Sequence, residues 1–157
     1  MKKIILTTLL LSTIISCKTH YSEKSYKGGY SEERIDQTTF QVSFLANAYT
    51  DYELIKKYFM YRCAEITLNH DYDYFIICNN RKGCFKNTQE EQCKIKDSIQ
   101  INSKTYKLTT YLYGKVLIKL FKEENFNIYK ESLFNAEEVK KFYEPIIVRG
   151  SNKMFKK

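Results

Sequence analysis

The chain has 157 residues, 43% of them apolar and 28% charged, with a formal charge of +8. That length fits one domain around one core, and the apolar fraction excludes wholesale disorder. Basic residues are scattered, with a modest cluster only at Lys153, Lys156 and Lys157, and no nucleic-acid-binding module accompanies them, so a nucleic-acid partner is not expected.

Met1-Lys2-Lys3 followed by Ile4 to Ile15 has the charged start and short apolar run of an export signal. The run falls short of the roughly 20 apolar residues that span a bilayer. Its end, Ile14-Ile15-Ser16-Cys17, resembles the lipobox of bacterial lipoproteins, with Ile14 where Leu is commoner. The resemblance implies cleavage after Ser16, diacylglycerol on the Cys17 thiol, and a palmitate-type acyl chain on the new terminus. Several such chains, at about 0.8 kcal/mol per buried CH₂, make the attachment long-lived. Lys18, where Asp would signal inner-membrane retention, points to the outer membrane in a cell with two. Losing residues 1–16 removes Lys2 and Lys3 and no acid, so +8 becomes +6. The expected organisation is a signal peptide (1–16), acylated Cys17 with a polar tether (17–27), one domain (28–149) and a frayed basic tail (150–157).

Gly28-Gly29-Tyr30-Ser31 is a glycine turn that permits positive φ or close backbone approach. Thr39 to Phe44 alternates strictly, with Phe40, Val42 and Phe44 on one face, as a half-buried strand does. Asn47-Ala-Tyr49 turns the chain, and Thr50 with Glu53 has capping-box spacing. Asp51 to Asn69 contains no Gly or Pro. Two apolar rows, one through Tyr58 and Tyr61 and one through Ile55, Phe59, Cys63 and Ile66, predict a well-buried helix. Tyr72 to Cys78 reads as a central strand, and strand–helix–strand predicts two parallel strands, not necessarily adjacent. Thr105–Tyr113 and Val116–Phe121 flank Gly114-Lys115 as a hairpin would. A short helix capped by Asn135 is expected to stop before Pro145.

Beyond Cys17 the cysteines are Cys63, Cys78, Cys84 and Cys93, an even number that in an exported chain predicts disulfides. Cys84 and Cys93 close a short polar loop and are the preferred pair, contributing about 2–3 kcal/mol in the chain-entropy model. Cys63 could pair with Cys78 if the helix packs over that strand, or serve as a small buried hydrophobe. Without Cys-x-x-Cys or nearby histidines there is no zinc pattern, and no metal or cofactor is expected. Arg62 and Glu65, one turn apart on an apolar helix, predict a partly buried polar pair. His70, Asp71 and Asp73 are the residues a hydrolase would use, although a polar helix–strand junction explains them as well. The four cysteines leave a thiol-based envelope sensor as a further alternative. Tyrosine-bearing loops suit contacts, so Gly28, Gly29, Tyr30 and Ser31 with Asn47 and Tyr49 form the candidate recognition surface.

Several of these stretches together resemble a family of small bacterial lipoproteins of unestablished activity. They are the lipobox, the Gly28–Glu32 turn, Asp36 ahead of the Phe40–Phe44 strand, Asn47–Thr50, the Arg62–Leu68 stretch against an RAAELTL-like helix, and Asn135–Val139. Ala46 and Asp71 stand where the family has glycine, and the Cys84–Cys93 loop is particular to this chain. The resemblance implies an envelope location and a compact α+β domain, and it transfers no catalytic residues. The expected fold is a two-layer α+β sandwich: a mostly antiparallel sheet of four or five strands, a long helix across one face and a short C-terminal helix. The expected role is a lipid-anchored envelope protein, binding or structural rather than enzymatic, with the membrane and an envelope protein or glycan as partners.

Overall fold

The computed structural model describes residues 18–78, 97–108, 112, 114–122 and 132–152. Seven strands are placed: β1 (Gly29–Arg34), β2 (Thr39–Leu45), β3 (Tyr74–Cys78), β4 (Asp97–Ile101), β5 (Lys104–Leu108), β6 (Gly114–Phe121) and β7 (Phe134–Asn135). Two helices accompany them, α1 (Tyr52–Asn69) and α2 (Ala136–Asn152). One sheet has the order β1-β2-β6-β3-β7, antiparallel at each pairing, and β4-β5 is a separate hairpin. The fold is α+β. Because β2 and β3 both run antiparallel to β6, they are parallel to each other with β6 between them, as the strand–helix–strand pattern allows.

Register explains the core. Phe40 of β2, Ile118 of β6 and Ile77 of β3 lie in one row across three strands, and Val42 faces Val116 in the next. These side chains meet Ile55, Tyr58, Phe59, Cys63 and Ile66 of α1 in a single cluster. Burying each large apolar side chain is worth about 1.5–3 kcal/mol. α1 is buried on most of its circumference because α2 packs along it, presenting Val139, Tyr143 and Ile147, while the sheet covers another side. β3 is buried on both faces, which is why its sequence is an unbroken apolar run. Phe75 and Ile77 face α1, whereas Ile76 and Cys78 join Leu133 on the far face.

Two sequence expectations are corrected. Gly114-Lys115 is not a hairpin turn: Gly114 opens β6, and β5 pairs with β4 instead. The turn lies at Asn102-Ser103, where Asn102 adopts φ +54, a conformation Asn tolerates. β6 is drawn to the middle of the sheet because its alternation buries Val116, Ile118 and Leu120 between two apolar neighbours. The C-terminal helix is also longer than expected and runs through Pro145 to Asn152. Proline in a helix costs about 3 kcal/mol. Ile147, two residues beyond it, continues the buried stripe of Val139 and Tyr143 and offsets that cost. Asn135 caps α2 as predicted, accepting from the Glu138 amide at 2.9 Å.

Candidate functional site

The segment read as a tether is packed on the domain. Thr19 is buried; its amide donates to Thr50 Oγ1 at 2.8 Å, and its own hydroxyl oxygen accepts from the Asn47 amide at 2.9 Å. Lys18 reaches Asp51 at 3.0 Å. Thr50 is thereby occupied and does not cap α1. Asp51 does, accepting from the Leu54 amide at 2.8 Å, and that bond together with Lys18 holds its carboxyl below the ordinary value. Further along, the Tyr30 amide donates to the Ser22 carbonyl at 2.8 Å and the Lys24 amide to the Tyr30 carbonyl at 2.7 Å. This strap crosses Gly28 and Gly29, both buried, at φ +102 and +122. A Cβ on Gly29 would lie 2.5 Å from the Ser22 and Glu23 carbonyl oxygens, and one on Gly28 would collide with the Leu45 carbonyl. The glycine pair is therefore a buried backbone crossing beneath the strap.

Tyr21 locks the strap onto α1. Its ring packs against Tyr30 at 4.8 Å, Tyr58 at 5.6 Å and Tyr61 edge-on at 5.2 Å. Its hydroxyl donates to Glu65 Oε2, which also accepts from Arg62 Nη1 at 2.9 Å. Arg62 forks onto Glu32 of β1, with Nη2 to Oε1 at 2.5 Å and Nε to Oε2 at 3.2 Å, and lies 4.2 Å over the Tyr30 ring. Burial, followed by the bond to Glu65, pushes the Tyr21 phenol far above its ordinary value. Burial works against the Arg62 charge, but the hydrogen bonds to Glu32 and Glu65 outweigh it and raise the guanidinium further. The node holds strap, helix and β1 together. The expected Arg62–Glu65 pair is present; Glu32 and Tyr21 complete it, and no local spacing pointed to either. A groove of about 260 Å³ beside the node is lined by Glu23, Lys24, Tyr30, Ser31 and Glu32.

Gly28 and Gly29 are buried beside Leu45 and Thr19, and Thr19 bonds the Asn47 amide, so the glycine pair lies at the same end as the exposed Asn47 and Tyr49, with Tyr30 packed on Tyr21. His70 caps the end of α1 with its ring on Phe40, centroids 4.6 Å apart, and Asp71 takes φ +60. Lys122 donates to the Asp71 carbonyl at 2.6 Å and pairs with Asp73 at 3.6 Å. A larger open groove of about 690 Å³ lies elsewhere, at the start of α2, lined by Asn102, Asn135, Glu137, Glu138, Lys141 and Phe142.

Cys63 is a free, buried thiol, and burial pushes its pKa well up. Cys78 is disulfide-bonded, but not to Cys63: the two occupy opposite faces of the sheet, Cys63 in the main core and Cys78 beside Leu133. The partner of Cys78, the Cys84–Cys93 pairing and Cys17 with the leader all lie outside the described residues. Among the described residues, no three His, Cys, Asp or Glu side chains converge on a metal position, and no helix is long and apolar enough to cross a membrane. Comparison with protein-family models, curated proteins and solved structures finds no match to this chain.

Proposed function

We propose that this chain is an exported envelope lipoprotein, attached through acyl groups on Cys17, with a binding or structural role. The observation that carries the reading is Ile14-Ile15-Ser16-Cys17 at the end of a short apolar run that starts at Lys2-Lys3. A role in holding rather than reacting is supported by the way the half-buried ionisable groups are spent. Tyr21, Arg62, Glu65 and Glu32 satisfy one another across three elements. Its partners on this reading are the membrane and an envelope protein or glycan. Feeding cells an alkyne fatty acid tests the anchor: the native chain should take the label and enter the detergent phase, and Cys17→Ala should do neither. Equal labelling of both forms, or of neither, refutes the reading.

A further inference from the structure

Resting on that lipid-anchor reading, we infer that the end of the domain bearing Tyr26, Leu45 and Tyr49 lies directly on the phospholipid surface. Adjacent Cα atoms are 3.80 Å apart, so the Cys17 Cα stands within about 7.6 Å of the Thr19 Cα. Thr19 is buried and fixed by hydrogen bonds to Thr50 and Asn47. An acylated Cys17 therefore brings whatever surrounds Thr19 to headgroup depth, with no free chain to hold the domain away.

What surrounds Thr19 is suited to that position. Tyr26 is 91% exposed, Tyr49 73% and Leu45 53%, the three most exposed large hydrophobic side chains described. They share one end of the sheet. Tyr26 sits at the tip of the Ser25–Gly28 turn, Leu45 ends β2 beside Gly28, and Tyr49 lies in the turn whose Asn47 amide bonds Thr19. Tyrosine is enriched at the membrane–water boundary, where its ring is buried and its hydroxyl stays wet. Basic side chains accompany them: Lys24 and Lys27 are exposed, with the Lys27 ammonium 5.3 Å over the Tyr26 ring. Lys18 is paired with Asp51, and Glu23 stands exposed on the strap. Lys27, stacked on the exposed Tyr26 ring, fits an anionic headgroup layer.

The chain contains no Trp, so a single introduced Trp reports alone. The full acylated protein, with its Cys17 modification checked by mass, is placed in phosphatidylethanolamine–phosphatidylglycerol vesicles carrying brominated acyl chains. Tyr49→Trp and, separately, Tyr26→Trp should shift their emission to the blue and lose most of it to quenching. Gln37→Trp, in the exposed turn at the opposite end of β1 and β2, should keep its emission. If Cys17 is acylated and all three variants emit alike, the strap has released and the inference fails while the anchor stands. If Cys17 carries no acyl group, the anchor reading fails first and takes this one with it.

Discussion

Gly29→Ala is the sharpest probe of the strap. At φ +122 an L-residue is strained by about 1–3 kcal/mol. The added methyl would also sit 2.5 Å from two backbone carbonyl oxygens, those of Ser22 and Glu23, and no side chain can turn aside to relieve it. The strap must lift, giving up the 2.8 Å bond from the Tyr30 amide and the 2.7 Å bond from the Lys24 amide, at about 1 kcal/mol each. The expected loss is about 3–5 kcal/mol, a large share of a typical stability of roughly 5–15 kcal/mol. Gly114→Ala is the control: φ is +70 but no atom of the described residues lies within 4 Å of its Cβ position, so the left-handed cost of about 1–2 kcal/mol applies. Urea unfolding of both variants measures the difference, and amide exchange at Lys24 and Tyr30 locates it. Equal losses, with both amides still protected in Gly29→Ala, would refute the close crossing.

The other elements make independent predictions. Arg62→Met strands Glu32 and Glu65. With the Arg62 side chain only 13% exposed, the loss should fall between the surface and buried limits, at about 2 kcal/mol, and be coupled to Glu32→Gln in a double-mutant cycle; additive losses would contradict the fork. Pro145→Ala restores a helix amide at an exposed position and should raise stability by about 1–3 kcal/mol in thermal unfolding, and a lower melting temperature would count against the continuous helix. Cys63 should resist alkylation at pH 8 in the native state and react once the chain is unfolded; rapid native labelling would contradict its burial. Burial raises the Asp97 pKa, but bonds from the Tyr52 hydroxyl, the Ser98 amide and Lys56 outweigh it and leave the carboxyl below its ordinary 3.8. A depressed folded pKa stabilises above 3.8 and loses that contribution as pH falls through the folded value. Asp97→Asn should therefore flatten the acid limb of the stability curve, and an unchanged limb would remove Asp97 from the account.

Local periodicity made much of the fold legible. Strict alternation located β2, the long uninterrupted two-row pattern located α1, and the aromatic and β-branched Tyr72–Cys78 run marked a central strand, which spans Tyr74–Cys78. What local pattern does not carry is which strand fills a gap. Nothing in Val116–Phe121 distinguishes pairing with the strand just before it from pairing with β2 and β3, whose partners lie far away in the chain. The strap escaped for a related reason. Its contacts are single residues, Thr19 and Tyr21, set among polar neighbours, so no period could appear. The capping box at Thr50 misled because two good caps stand side by side, and Thr19 claims the hydroxyl of one. Arg62 and Glu65 were visible from helical spacing, whereas Glu32 reaches them across thirty residues.

The central claim is that a lipid on Cys17 fixes this domain, and the mass of the mature N-terminal peptide from membrane-isolated protein tests it most directly. The account predicts a peptide beginning at Cys17 and heavier by diacylglycerol and a further acyl chain. A peptide still carrying Ile14-Ile15-Ser16, or beginning at an unmodified Cys17, would contradict it.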